Sequence, residues 1–364
     1  MSEIVFCRSC GHSIHISAPV CQNCNAQQML VKIDRPGGGS SYKASFQNAS
    51  NGITEKLGLE KIEGFSISSF FSEAFRKHDP DEVERLLTVG TLETTPVPSL
   101  DMGTMPNPWI FFRVLAGTVI AYLIFMFAWK HFNNINLVPG LIIIGSFAIP
   151  FSVLILFFEL NTPKNVSIIK IVQLVVGGGI LSLLLSLILF EVTPFLGIFG
   201  ASASSFVEEI GKLAALLFLM KAVKFERYKY RLNALLLGAA IGTGFAAFES
   251  AGYALRYGLE SSEMMLEIIQ RRGVLSPFSH IAWTAIAASS YWIARANHSD
   301  FSETIKSKQF LKLFAVPVGL HFIWNMPFQG PFMIKYIILG FIAWVIIISL
   351  VQSGLKEISK SVAE

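Results

Sequence analysis

The sequence predicts an all-α polytopic membrane protein of about eight transmembrane helices, preceded by a small zinc ribbon. Three observations carry that reading. Of the 364 residues, 52% are hydrophobic and only 15% charged, with a positive mean hydropathy. The apolar residues gather into blocks near the ~20 residues that span a bilayer as a helix. All four cysteines fall within the first 24 residues. The net charge of +4 is small. It reads as topology information rather than as a nucleic-acid footprint.

Residues 1–30 contain Cys7-x2-Cys10, ten further residues, then Cys21-x2-Cys24. Each pair bends two thiolates toward one ion, and two pairs complete a tetrahedral all-sulfur zinc site. Gly11 and Asn25 follow the pairs and tolerate a left-handed turn. So short a segment buries no core, so the metal would hold it together. Two disulfides are the alternative, disfavoured by paired CxxC without a signal peptide. The segment resembles the short zinc ribbons at the N-termini of bacterial membrane proteins. A site closed by four thiolates is structural, and as a docking arm it would bind a protein partner.

Residues 31–60, with RPGGGSS, read as a flexible linker. Residues 61–105 read as a small cytosolic helical segment and lead-in. FSISSFFSEAFRKH and DPDEVERLLTVG carry helical spacing, and Asp79-Pro80 supplies a cap and a first turn. The eight apolar segments then run at about 109–129, 136–158, 167–190, 203–222, 232–254, 276–295, 310–328 and 331–352, and 353–364 is a cytosolic tail. Lys221, Lys224, Arg227, Lys229 and Arg231 follow the fourth segment; Arg295, Lys306, Lys308 and Lys312 follow the sixth. The other loops are poorer in Lys and Arg. The positive-inside rule therefore puts both termini in the cytoplasm, in agreement with reduced thiols.

Polar residues inside the spans mark a site, because each costs about 2.5–3.5 kcal/mol at the centre of a span. Glu208, Glu209 and Lys212 stand in the fourth segment, Glu249 and Tyr253 in the fifth, His280 in the sixth, and His321 and Asn325 in the seventh. On this topology Glu208, Glu249, His280 and His321 all fall within roughly 10 Å of the outer surface, at ~1.5 Å per residue. Glu208 and Lys212, Glu249 and Tyr253, and His321 and Asn325 are each four apart, hence on one face. Glu208 and Glu209 are about 100° apart on a helix, so one is expected at the site and the other against a neighbouring helix or the lysine. Gly238, Ala239, Ala240, Gly242, Gly244, Ala246 and Ala247 permit close helix approach.

A glutamate beside a histidine can hold and deprotonate a water, and an Asn or His donor can stabilise the oxyanion it creates. A zinc version, with His280, His321 and a glutamate as ligands, stays open, although no HExxH stands behind it. The absence of GxSxG, of cysteine in the spans and of paired intramembrane aspartates weakens serine, cysteine and aspartyl mechanisms. A proton or ion pathway is the non-enzymatic rival. Against it, the groups share one depth and no inverted repeat is visible.

EExxK at Glu208–Lys212, FExxxY at Phe248–Tyr253, the lone His280 and HxxxN at His321–Asn325 resemble the motifs of the PrsW family of intramembrane proteases, within the superfamily of CAAX proteases and bacteriocin-immunity proteins. The resemblance covers roughly 106–352, and FFELNTPKN at 157–165 looks like a family loop. It implies an endopeptidase of the bacterial cytoplasmic membrane that cuts membrane-anchored proteins, such as anti-sigma factors, near the extracytoplasmic face. By position, Glu208 or Glu209 would activate the water, with Glu208 preferred. Glu249, His280 and His321 would complete the centre, and Asn325 would donate to the oxyanion. The family is described both as metal-dependent and as glutamic-type; the residues favour the glutamate route, with no catalytic metal.

Overall fold

The computed structural model describes residues 4–6, 13–15, 20–23, 50–62, 64–78, 87–91, 93–221, 225–298, 300–328 and 333–363. Met1–Gln47 and Asn48–Glu364 are separate compact units. In the first, β1 (Ile4–Phe6) pairs antiparallel with β2 (Ser13–His15), with Phe6 opposite Ser13. Cys21 is buried. Cys7, Cys10 and Cys24 lie outside the described residues, as do most of the expected linker and the Asp79-Pro80 cap.

The second unit is helical, and its long helices coincide with the apolar blocks. They are α1 (Ile110–Phe132), α2 (Val138–Leu160), α3 (Ile168–Val192), α4 (Ser204–Met220) and α5 (Arg231–Gly258). There follow α6 (Ser262–Leu275), α7 (His280–Arg295), α8 (Phe301–Lys306), α9 (Lys308–Asn325) and α10 (Ile334–Ala363). Among the described residues, five segments are long and apolar enough to cross a membrane: α1, α2 with the short turn before it, α3, α5 and α10. The other blocks fall short for a physical reason. α4 and α7 have 17 and 16 residues, below the ~20 that cross ~30 Å of hydrocarbon. α4 also carries three charged groups, and α9 begins with Lys308 and Lys312.

Several boundaries differ from expectation. Residues 50–57, inside the expected linker, are helical, with Ser50 and Thr54 buried. Ser349 Oγ donates to Glu60 O and Lys356 Nζ to the Glu60 carboxylate, both at 2.5 Å. That ammonium holds the Glu60 carboxyl below its usual range. Of the first stretch expected as a cytosolic helix, only Ile67–Phe70 is helical, and turns follow it. The expected tail is a continuation of α10, whose Gly354, Leu355 and Ile358 are buried. α6 and α8 occupy stretches expected as loops.

Burial is graded across the bundle. α5 is enclosed from Leu232 to Ala247, and α7 is buried from His280 to Ala294. α1 buries only Ile110 and Phe111. Ile120, Leu123, Ile124 and Phe127 of α1 and Ile180, Leu184, Leu187 and Ile188 of α3 face outward, an apolar rim suited to lipid.

Glycine sets the distance between the central helices. A Cβ on Gly242 would stand 2.5 Å from the carbonyl oxygen of His280, and one on Gly244 would stand 1.9 Å from that of Val175. The backbone of α5 thus lies directly on α7 on one side and on α3 on the other, as small-residue packing in membranes allows.

The 157–165 loop fixes the opposite end of the bundle. Glu159 is buried and accepts the backbone N–H groups of Trp109, Ile110 and Phe111 at 2.8, 2.9 and 2.8 Å. One carboxylate therefore satisfies three of the four N–H groups that the start of α1 leaves unpaired. Asn233, at the start of α5, donates to Asn161 at 2.8 Å and to Asn165 at 2.6 Å. Asn165 in turn donates to the Arg227 carbonyl at 2.8 Å.

Candidate active site

Four helices bring six of the expected site residues, Glu208, Glu209, Lys212, Glu249, His280 and His321, into one cluster. The start of α4 supplies Glu208, Glu209 and Lys212, all buried. α5 supplies Glu249, α7 begins at His280, and the last turns of α9 supply His321. The Gly242 contact with His280 is what brings the carboxylate-bearing helix up to the histidine.

Lys212 is the hub. Its Nζ donates to Glu209 Oε1 at 2.7 Å, lies 2.9 Å from His280 Nδ1 and 3.5 Å from Glu208 Oε2, and sits 4.1 Å above the Phe245 ring. A fully buried ammonium needs such partners. Glu209 Oε1 also lies 3.0 Å from His321 Nδ1, and His280 Nε2 lies 3.0 Å from Glu249 Oε2. A carboxylate only accepts, so the network assigns His321 a proton on Nδ1 and His280 a proton on Nε2. The remaining nitrogens both turn toward Glu208 Oε2, at 3.9 Å for His321 Nε2 and 4.0 Å for His280 Nδ1. Glu208 Oε2 is buried and has no hydrogen-bond partner. Glu208 stands at the centre, while Glu209 lies against Lys212 and against His321 of the neighbouring α9.

Arg272, on α6, is not among the residues that the sequence singles out. Its Nη2 lies 2.5 Å from Glu249 Oε2 and its Nε donates to Ser250 Oγ at 2.9 Å. Its guanidinium stands 4.5 Å from the Tyr253 ring, which places Tyr253 behind the carboxylate rather than in the centre. Asn325 is also set apart. Its Nδ2 donates to Ser204 Oγ at 2.7 Å, bracing the first turn of α4. Trp283, fully buried, stacks on His321 with ring centroids 4.4 Å apart and leaves its Nε1 without a partner.

Glu208, His280 and His321 offer three ligand atoms within 4.8 Å of one another. The donor set fits a metal. Two imidazoles and a carboxylate are a familiar catalytic zinc set, and an acceptor without a hydrogen bond is an available lone pair. Each imidazole is also braced at its far nitrogen by a carboxylate, the arrangement that orients metal-ligating histidines.

Residues 150–351, more than half of the chain, match the profile of the PrsW family intramembrane metalloprotease. The chain belongs to the PrsW family. The match begins within α2 and ends within α10, so it contains every residue of the cluster. No curated protein and no solved structure matches the chain. Membership makes this PrsW protein an intramembrane protease, in keeping with a multi-pass chain that carries several membrane-length helices.

Proposed function

We propose that the chain hydrolyses peptide bonds of membrane-anchored proteins at a centre formed by Glu208, His280 and His321, and that these three residues hold a divalent metal, zinc by their donor set. The observation that carries the proposal is the pairing of the two imidazoles. Each spends its outer nitrogen on a carboxylate and aims its inner nitrogen at Glu208 Oε2. A metal so held supplies Lewis-acid activation of water and carbonyl. The protein's own groups do the rest. Glu209 fixes the His321 tautomer and Glu249 that of His280. Lys212 and Arg272 neutralise these two supporting carboxylates, and the aromatic faces of Trp283 and Phe245 exclude bulk water. In the chemistry without a metal, Glu208 takes and returns the proton of the attacking water. Asn325 holds α4 in place; the role of oxyanion donor passes to a group nearer the centre.

A second reading rests on Lys212. Its ammonium already stands 2.9 Å from His280 Nδ1 and 3.5 Å from Glu208. If it stays there, the centre runs as a glutamate-type protease without metal. The eight-span count, the extracytoplasmic site, the cytoplasmic termini, the bacterial cytoplasmic membrane and regulators such as anti-sigma factors as substrates complete the proposal. So does a zinc ribbon over residues 1–30 that docks a protein partner; β1 ends next to Cys7, and β2 begins three residues after Cys10.

The test is co-expression with a tagged single-span reporter. Wild type is expected to cut it, and Glu208→Ala and His321→Ala are expected not to. Persistent cleavage in both variants would sink the assignment. Metal analysis of protein lacking residues 1–47, with the full chain beside it, separates the two chemistries. One bound zinc whose removal stops cleavage supports the metal reading; full activity without metal supports the glutamate reading.

A further inference from the structure

Beside the centre lies a cavity of about 250 Å³ that the hydrolytic scheme does not use. His280 is in its wall, together with Tyr253, Tyr257, Arg271, Arg272 and Tyr336. Its two guanidinium groups differ. Arg272 is committed to Glu249 and Ser250. Arg271 is half-buried and reaches only the Tyr336 hydroxyl, at 3.5 Å. Among the described residues it has no carboxylate partner, not even Glu267 one turn earlier on α6. A half-buried guanidinium beside aromatic rings, with no counter-ion among the described residues, keeps its fork of donors free for a bidentate carboxylate. The cavity is smaller than the ~300–1,000 Å³ that encloses whole ligands, so it suits one side chain.

We propose that Arg271 receives a carboxylate of the peptide substrate, so that the enzyme prefers bonds close to an acidic side chain. The proposal rests on the hydrolytic centre described above, because the cavity shares His280 with it. A carboxylate seated on Arg271 leaves the adjoining peptide next to His280. A charged hydrogen-bonded pair of this kind favours its ligand by roughly ten- to a hundredfold over a neutral isostere.

The experiment uses the full-length protein in detergent with two readouts. In the first, a single-span reporter carries Glu or Gln at each of the positions around the cut bond. Wild type is expected to favour Glu over Gln at least tenfold at one position. Arg271→Gln is expected to lose that preference by slowing only the acidic reporter, and Arg271→Lys to keep part of it. The second readout needs no cleavage. Binding of the acetylated, amidated pentapeptide Ala-Ala-Glu-Ala-Ala to Glu208→Gln protein is compared with its Gln counterpart and with a neutral pentapeptide ending in a free carboxylate. Preference for the internal Glu that vanishes when Arg271→Gln is added supports the proposal. Preference for the free terminus alone overturns the side-chain assignment. Equal binding of all three, or a Glu preference that survives Arg271→Gln, overturns the proposal altogether. If binding discriminates while wild type cuts no reporter, the hydrolytic reading fails and the carboxylate site stands.

Discussion

Replacing Glu209 by glutamine isolates charge from shape at the centre. The side chain is fully buried, and its Oε1 takes both Lys212 Nζ at 2.7 Å and His321 Nδ1 at 3.0 Å. Glutamine keeps an acceptor for these two donors, removes the charge and puts an amide NH2 in place of the unpartnered Oε2. Hydrogen bonds to charged groups contribute about 1.5–3 kcal/mol against about 0.5–1.5 for neutral ones. Two bonds weakened by about 1 kcal/mol each lose about 2 kcal/mol of His321 and Lys212 positioning, which is roughly 30-fold in rate. That falls within the ~10–100-fold expected when a residue orienting a metal ligand is altered. Alanine is harsher, since it leaves a buried ammonium and an imidazole N–H unpaired. It should cost about 3–5 kcal/mol of stability. The assay pairs initial rates of reporter cleavage with unfolding titrations of purified protein. A glutamine variant that cleaves at the wild-type rate, or an alanine variant that resists denaturant as wild type does, would refute the orienting role of Glu209.

Further expectations follow from single contacts. Gly244→Ala should collapse the yield of folded protein, because its Cβ would stand 1.9 Å from the Val175 carbonyl oxygen. Gly252→Ala on the same helix meets nothing within 4 Å and should be neutral or stabilise by up to ~1 kcal/mol; thermal unfolding of the pair checks both. Glu159→Ala strips three backbone N–H groups of their acceptor and should destabilise by about 3 kcal/mol or more, with Glu159→Gln in between, read by limited proteolysis near residue 109. Arg272→Gln should lower the cleavage rate about tenfold, since it releases Glu249 from one of its two partners; an unchanged rate would remove Arg272 from the site. Chelation should abolish cleavage and zinc should restore it, provided the metal reading holds.

The eight apolar blocks were legible by length and composition, and among the described residues each of them carries a helix. What blurs is which of them cross a membrane. α4 and α7 are short, and α4 spends three of its positions on charge. The cluster of Glu208, Glu249, His280 and His321 was legible because polar residues stand out against so apolar a background. Arg272 was not. Its partner Glu249 lies on a different helix, and an arginine outside a span looks like any loop charge. α6 escaped notice for the same reason, since its residues are polar enough to pass for a connection. The Asn161–Asn165–Asn233 network joins residues about seventy positions apart, and no local pattern announces such a partnership.

Glu159 gives α1 an unusual standing in the bundle. The helix is clipped at its first turn by one carboxylate and buries only Ile110 and Phe111. It also precedes the segment that defines the family. Glu159 therefore sets where α1 begins, while Tyr122, Phe125, Met126 and Trp129 further along pack against α2, α5 and α6, and Arg113 donates to the Arg76 carbonyl. The start of α1 is thus registered to the end of α2 by one side chain, and its later turns are registered by aromatic packing.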